Sequence, residues 1–274
     1  MKTDKKTNLV IEILLVIIAI YFISPFIYMF FSSLKTETEA IAYPPKLFPE
    51  VWRFSNYIEA WNSQPFNTFL LNTVLVTVLT TLGQLVSCSL VAYGFARFEF
   101  KGKNFLFMVL LSTMMIPWDV TMIPLYMEFK NFSWINTLKP LIIPAWFGSP
   151  YYIFLMRQFL LSVPKDFEEA ARLDGANVFQ IYWMIFMPIL KPSLILVAVL
   201  NMISVWNDYL GPLVFLQDRS KYTLALGLAA FKGVHGTKII PMLCITVIMI
   251  IPPILAFIFA QKYIVEGTGG AIKS

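Results

Sequence analysis

Apolar residues gather into six runs along this chain, at about 9–31, 68–95, 104–127, 139–161, 191–216 and 239–261. Each is long enough for a helix to cross the hydrocarbon core of a bilayer, which takes about 20 mostly apolar residues. The pattern predicts an all-α integral membrane protein, a single transmembrane domain over 1–274 with six transmembrane helices. Lys2, Lys5 and Lys6 precede the first run, as in a signal peptide. That run is longer than a signal-peptide h-region, however, and no small-x-small cleavage site follows Pro25. It is expected to be a retained signal-anchor with its N-terminus inside.

Proline punctuates three of the runs: Pro117 and Pro124 in the third, Pro144 and Pro150 in the fourth, and Pro241, Pro252 and Pro253 in the sixth. Each removes a backbone donor that neighbouring helices or water must make good. Interrupted helices at membrane depth suit a moving, partly wet pathway, and ordinary kinked packing would leave the same mark at any single position.

The longest stretch that reads as cytoplasmic, about 162–190, lies between the fourth and fifth runs and carries strong helix signals. Pro164 suits a first turn, and Asp166, Glu168 and Glu169 sit at the positive end of the dipole. Phe167, Ala170 and Ala171 form a small apolar face at i, i+3, i+4, while Glu168 and Arg172 can pair on the wet face. Gly175 supplies a left-handed stop, and Asn177 with Gln180 forms a capping box that opens a second helix. Two readings are open for this compact helix outside the spans. It docks on a soluble partner, or it lies flat on the membrane.

Composition agrees with the spans: 58% of residues are hydrophobic and 14% charged, at a mean hydropathy of +0.71. Soluble domains carry about 25% charged residues. The net charge of +5 has no basic stripe interleaved with aromatics behind it, so it fits anionic lipid headgroups and not nucleic acid. A cytoplasmic N-terminus puts about 12 Lys/Arg inside and about 9 outside, with the tight Arg97–Lys103 connection and the 162–190 loop both inside. Six spans then return the C-terminus to the cytoplasm. Cys88 and Cys244 fall in apolar runs without metal-like spacing and are expected to be packing residues.

The string Glu169-Ala170-Ala171, three residues, Gly175, nine residues, Ile185-x-x-Pro188 resembles the EAA loop of binding-protein-dependent ABC importers, with Met187 where a leucine is usual. The resemblance extends to Ser33–Thr36, Asn56-Tyr57, Ala92–Phe98, Ile123–Tyr126, Trp206-Asn207-Asp208 and the tail from Gln261 to Lys273. It points to the carbohydrate branch, in particular the smaller permease of maltose-like systems. It implies a type I importer permease fold with cytoplasmic termini, in a bacterial cytoplasmic membrane. Implied partners are a homologous second permease, two ATPase subunits that hold ATP and Mg, and an extracytoplasmic solute-binding protein. Phe167, Glu169, Ala170, Ala171, Arg172, Asp174 and Gly175 are the residues expected to couple the chain to the ATPase.

No catalytic or metal-binding set is legible. Gly267–Ser274 nearly spells a phosphate loop, but Ile272 stands where the final glycine is needed, so its glycines read as flexibility. His235 has no acid or nucleophile at a recognisable spacing and reads as a solvated loop residue. Polar residues within the spans are functional candidates. Asn72, Asp119, Trp206, Asn207 and Asp208 are candidates for the substrate pathway, with Asn201 and Gln84 behind them. Trp206 beside an amide and a carboxylate has the chemistry to hold a sugar, and equally Asn207 and Asp208 can satisfy a kinked neighbour. The loop at about 217–238 is the expected contact with a binding protein. The rival function is an ion-coupled secondary transporter using buried carboxylates such as Asp119 and Asp208.

Overall fold

The computed structural model describes residues 5–233 and 236–269, with side chains described over 9–233 and 236–263. Lys2, His235 and Gly270–Ser274 lie outside the described residues. Eight main helices follow in chain order: α1 (Lys5–Ser33), α2 (Phe66–Arg97), α3 (Lys103–Ser112), α4 (Trp118–Asn131), α5 (Pro150–Leu161), α6 (Asp166–Leu173), α7 (Lys191–Trp206) and α8 (Ile239–Gly269). Among the described residues, three helices are long and apolar enough to cross a membrane: Leu9–Ser33, Phe66–Arg97 and Ile239–Tyr263. Two bent pairs, Lys103–Met115 with Trp118–Asn131 at 95° and Val178–Ile189 with Lys191–Trp206 at 72°, raise the number to five. The expected fourth span is in pieces: Lys139–Ile142, a 3-10 turn to Phe147, and the twelve residues of α5.

The prolines do not act alike. Pro117 follows an extended Ile116 (ψ 114°) and separates two helices at the 95° bend. Pro150 follows an extended Ser149 and a left-handed Gly148 (φ +85°), and there it opens α5. Pro124, Pro252 and Pro253 lie inside continuous helices and Pro241 sits in the first turn of α8, so none of these interrupts its helix as expected. A proline's fixed φ is helical; it removes one donor, and in an apolar run with helical flanks that loss leaves the helix intact. α8 also continues through Gly267–Gly269, where flexibility was expected.

The chain divides into two compact units. The first comprises residues up to Phe66 with Leu228–Ile251. Its centre is the turn after α1, where Ser33, Leu34 and Lys35 are buried. Asn56 Nδ2 donates to the carbonyls of Ser33 and Lys35, both at 2.9 Å, and Tyr57 shares a 2.7 Å hydrogen bond with Ser33 Oγ. A two-stranded ladder pairs Lys232–Gly233 with Gly236–Thr237.

The second unit comprises Asn67–Gly227 with the chain from Pro252 onward. Its core joins Cys88, Ala92 and Tyr93 of α2, Ile153, Met156 and Leu160 of α5, Ala171 of α6, and Ile181, Tyr182 and Phe186 of the following helix. Small residues on α2 let the other helices approach closely, as membrane helix interfaces require.

Candidate functional site

The 162–190 connection is anchored at its base. Arg97, the last residue of α2, donates to the carbonyls of Leu160 at 2.7 Å and Val163 at 2.8 Å, and its guanidinium lies 4.6 Å from the Phe186 ring centroid. Arg157 Nε donates to Phe95 O at 3.3 Å. Pro164 precedes α6 and is not in its first turn, because Lys165 is the N-cap.

α6 ends as its sequence dictates. Gly175 takes φ +83°. Ala176 N–H donates to Ala171 O at 3.0 Å and Gly175 N–H to Arg172 O at 3.1 Å, the paired closure of a Schellman motif. Two residues on, Asn177 Oδ1 accepts from Gln180 N–H at 2.9 Å, while Asn177 N–H donates to Gln180 Oε1 at 2.8 Å. The C-terminus of the short helix and the N-terminus of the next are therefore satisfied within the chain, while Lys165, the N-cap of α6, makes no side-chain cap. This matters because eight residues are too few for a stable helix alone.

The two faces of α6 differ from the expected ones. Glu168 pairs with Arg172 at 2.6 Å as the spacing implied, yet Glu168 is buried at 7% exposure. Ala171 also turns inward, into the core cluster. The outward face carries Phe167, Ala170, Leu173 and Asp174, with Leu173 at 89% exposure. Glu169, Arg172 and Gly175 are exposed as well. Phe167, Ala170 and Asp174 border a shallow depression of about 510 Å³ that Pro164, Asp166, Ala171 and Ile185 complete. Leu173 extends this face as the i+3 neighbour of Ala170, a spacing that the sequence shows and the expected coupling set does not include.

The substrate-pathway candidates do not form one site. Asn72 spends its amide on the carbonyls of Ser220 and Tyr222, each at 3.0 Å. Asn207 Nδ2 donates to Ile203 O at 2.8 Å, closing the end of α7. Asn201 donates to the hydroxyls of Thr80 (3.3 Å) and Thr81 (2.9 Å), and Gln84 Oε1 accepts from Cys88 at 3.1 Å. Trp206 is buried, and Asp119 is exposed in the first turn of α4. Asp208 lines a cavity of about 430 Å³, together with Trp118, Pro140, Gly211, Phe215 and Thr223. The loop beyond is pinned, not free. Asn136, in a left-handed conformation (φ +61°), accepts from the N–H groups of Gln217 and Asp218 and donates to Asp218 Oδ2 at 2.6 Å. Among the described residues no group of three His, Cys, Asp or Glu could hold a metal ion.

The cavity and α6 stand at opposite ends of α2. Val76 lines the cavity and Arg97 braces the loop, and 21 residues of helix between them span about 31 Å, one hydrocarbon thickness.

Residues 85–268, which include α6 and the cavity wall beyond Val76, match the family described as binding-protein-dependent transport system inner membrane component. The chain is 33% identical over 98% of its length to the probable ABC transporter permease protein YurM of Bacillus subtilis (strain 168), covering 89% of that protein. It is 31% identical over 98% of its length to the arabinooligosaccharides transport system permease protein AraQ of Halalkalibacterium halodurans, covering 99% of it. Among solved structures, a bacterial ABC transporter involved in the import of the acidic polysaccharide alginate superposes with a TM-score of 0.82 at 27% identity, over 96% of this chain and 98% of that one. With the capped helix, its bracing arginine and the apolar spans on the same stretch of sequence, the chain belongs to the family of binding-protein-dependent transport system inner membrane components.

Proposed function

We propose that this chain is the translocating permease of an ATP-driven importer for a sugar or oligosaccharide, and that α6 is the point where ATP hydrolysis on separate subunits acts on it. The observation that carries the reading is the outward apolar face of α6, Phe167, Ala170 and Leu173, on a helix already closed at its C-terminus by the Gly175 motif. A helix preorganised in this way binds a groove without first having to fold. Its charged flanks, Glu169, Arg172 and Asp174, suit a polar rim around that contact. Closure of the ATPase pair would displace α6, and Arg97 and Phe186 would pass the displacement to α2 and to the helix beyond Asn177.

The cargo class follows from the relatives, one named for arabinooligosaccharide transport and another resolved as an alginate importer. Hydroxyl-rich chains are what these substrates share. Working partners are a second, homologous permease, two ATPases carrying ATP and Mg, and an extracytoplasmic binding protein. In the proposed topology of six crossings with both termini cytoplasmic, α6 faces the ATPases and the Asp208 cavity the opposite side, and their separation along α2 supports this reading.

Two substitutions test the coupling role in proteoliposomes that contain the whole transporter and its binding protein. Gly175→Pro forces a proline's φ near −65° onto a position held at +83°. Glu169→Lys reverses an exposed charge and leaves the fold alone. Both should raise the ATP hydrolysed per sugar imported by at least about tenfold. Wild-type stoichiometry in both, or uptake driven by an ion gradient without ATPase, overturns the reading.

A further inference from the structure

The cavity at the far end of α2 carries chemistry that docking at α6 does not use. At about 430 Å³ it falls within the usual size of small-ligand sites, about 300–1,000 Å³. Thr223 on its wall is 4% exposed, and its hydroxyl makes no hydrogen bond within the protein. A threonine just before a short helix ordinarily caps it. Here Thr223 Oγ1 caps nothing, while the neighbouring Leu224 N–H donates to Thr73 Oγ1 at 2.8 Å. A buried hydroxyl without a partner is a rarity that calls for a cause.

Asp208 faces the same space. Its Oδ1 accepts from Gly211 N–H at 3.1 Å, and a Cβ at position 211 would stand 2.5 Å from Oδ2, so the bare glycine backbone lets the carboxylate sit there. The ion pairs among the described residues do not include it. Trp118 completes the set. The bend at Pro117 makes it the first residue of α4, where it lines the cavity and is 38% exposed. An aromatic face for the apolar side of a sugar ring, a carboxylate to accept from hydroxyls, and a hydroxyl able to donate or accept are the groups a neutral glycan needs. A uronate would bring its own negative charge against an uncompensated carboxylate, and like charges at close range in a partly dry site repel strongly.

We propose that Trp118, Asp208 and Thr223 form a sugar subsite on this chain, and that Asp208 selects neutral oligosaccharides against uronate-bearing ones. The inference rests on the sugar-import reading above. It separates this chain from the solved relative described as importing an acidic polysaccharide.

The test measures direct binding to the assembled transporter in nanodiscs, with its ATPases trapped by vanadate, alongside uptake in proteoliposomes. The probes are raffinose, maltotriose, arabinotriose and diacetylchitobiose as neutral sugars, with trigalacturonate and trimannuronate as acidic ones. Wild type should bind at least one neutral probe and neither uronate. Asp208→Asn should weaken the best neutral probe by about tenfold, the worth of a hydrogen bond to a charged group. It should also raise uronate affinity by at least about tenfold. Thr223→Val should weaken the neutral probe about 3–10-fold and leave the apparent Tm at or above wild type, because the hydroxyl holds nothing within the protein. Wild-type affinities in both variants, uronates bound as tightly as neutral sugars, or a clear fall in Tm for Thr223→Val each overturn the subsite. If no sugar is bound or imported by the wild type, the import reading itself falls. Normal sugar uptake with unaltered affinities in the variants removes the subsite alone.

Discussion

Truncating the outward face of α6 separates docking from a structural role for that face. Phe167 is 52% exposed and Leu173 89% exposed, so Phe167→Ala and Leu173→Ala should each change the chain's own stability by no more than about 0.5 kcal/mol. Docking responds differently. An aromatic side chain offers about 150–250 Å² for burial, and half of the Phe167 ring is still uncovered. Covering about 100 Å² at about 25 cal/mol per Å² is worth about 2.5 kcal/mol. Ordering the side chain takes back about 0.5–1.5 kcal/mol. The net loss on truncation is then about 1–2 kcal/mol, or about 5–30-fold in Kd. Leu173 starts nearly bare and falls in the same range. The assay is the affinity of the solubilised permease pair for its purified ATPase, read beside the apparent Tm of each variant. Ala171→Leu is the control, because Ala171 is buried in the core. Overfilling that position should destabilise by about 1–3 kcal/mol. If both truncations bind ATPase like the wild type, or lower Tm as far as Ala171→Leu does, the face is not a docking surface and the reasoning fails.

A second expectation concerns two glycines that differ only in what they touch. A Cβ at Gly227 would lie 2.3 Å from the Phe69 ring, which is 1% exposed, whereas at Gly83 it would lie 2.8 Å from a Trp146 ring that is 46% exposed and free to shift. Helix propensity alone favours alanine at both by about 1 kcal/mol. Gly227→Ala should therefore lower the apparent Tm by an amount corresponding to about 1–3 kcal/mol, and Gly83→Ala should leave it near wild type; the reverse order in a thermal melt would refute the steric argument. Third, Arg97→Met removes both bonds to Leu160 and Val163 along with the contact to Phe186. It should destabilise by about 2–4 kcal/mol and uncouple ATP hydrolysis from uptake, whereas Arg97→Lys keeps a donor but not the planar stack and should recover about half of each effect. Wild-type stability and coupling in Arg97→Met would show that the brace carries nothing.

What the sequence made legible is what depends on neighbours in the chain. The Gly175 stop, the Asn177–Gln180 box and the Glu168–Arg172 pair all close within about one turn of helix, and all are present. The rotation of α6 about its own axis was not legible. Periodicity grouped Ala171 with Phe167, but Leu160, Ile181 and Tyr182 decide which side is covered, and they turn Ala171 and Glu168 inward. The prolines failed for a related reason. Pro117 and Pro252 look alike as letters, yet only the first follows an extended residue that has already left the helix. Trp118 and Thr223 stand 105 positions apart, and nothing local links an aromatic after a proline to a threonine before a short helix.

The cavity and the capped helix are joined by more than a shared family. α2 faces the core with small hydroxylated residues, and most bond to their own helix: Thr73 to Phe69 O, Ser87 to Gly83 O and Ser89 to Leu85 O. Thr73 and Ser89 also bond across to other elements, so α2 is linked to its neighbours at several levels. Arg97 grips the 162–190 loop at one end, and Asn72 and Thr73 grip residues 220–224 at the other. In between, Asn201 of α7 holds Thr80 and Thr81, and Tyr182 shares a 2.7 Å bond with Ser89. α7 ends five residues beyond Asn201 at Trp206, and Asp208 follows two residues later. A push on α6 that shifts α2 as a rod must therefore carry Thr73, and with it the segment that bears Thr223, while the Asn201 link carries α7 and Asp208. Both polar walls of the cavity are tied to the same helix that the 162–190 loop grips. On the proposed coupling role of α6, the cavity therefore travels with α2 as a unit, and its opening depends on what moves against that unit.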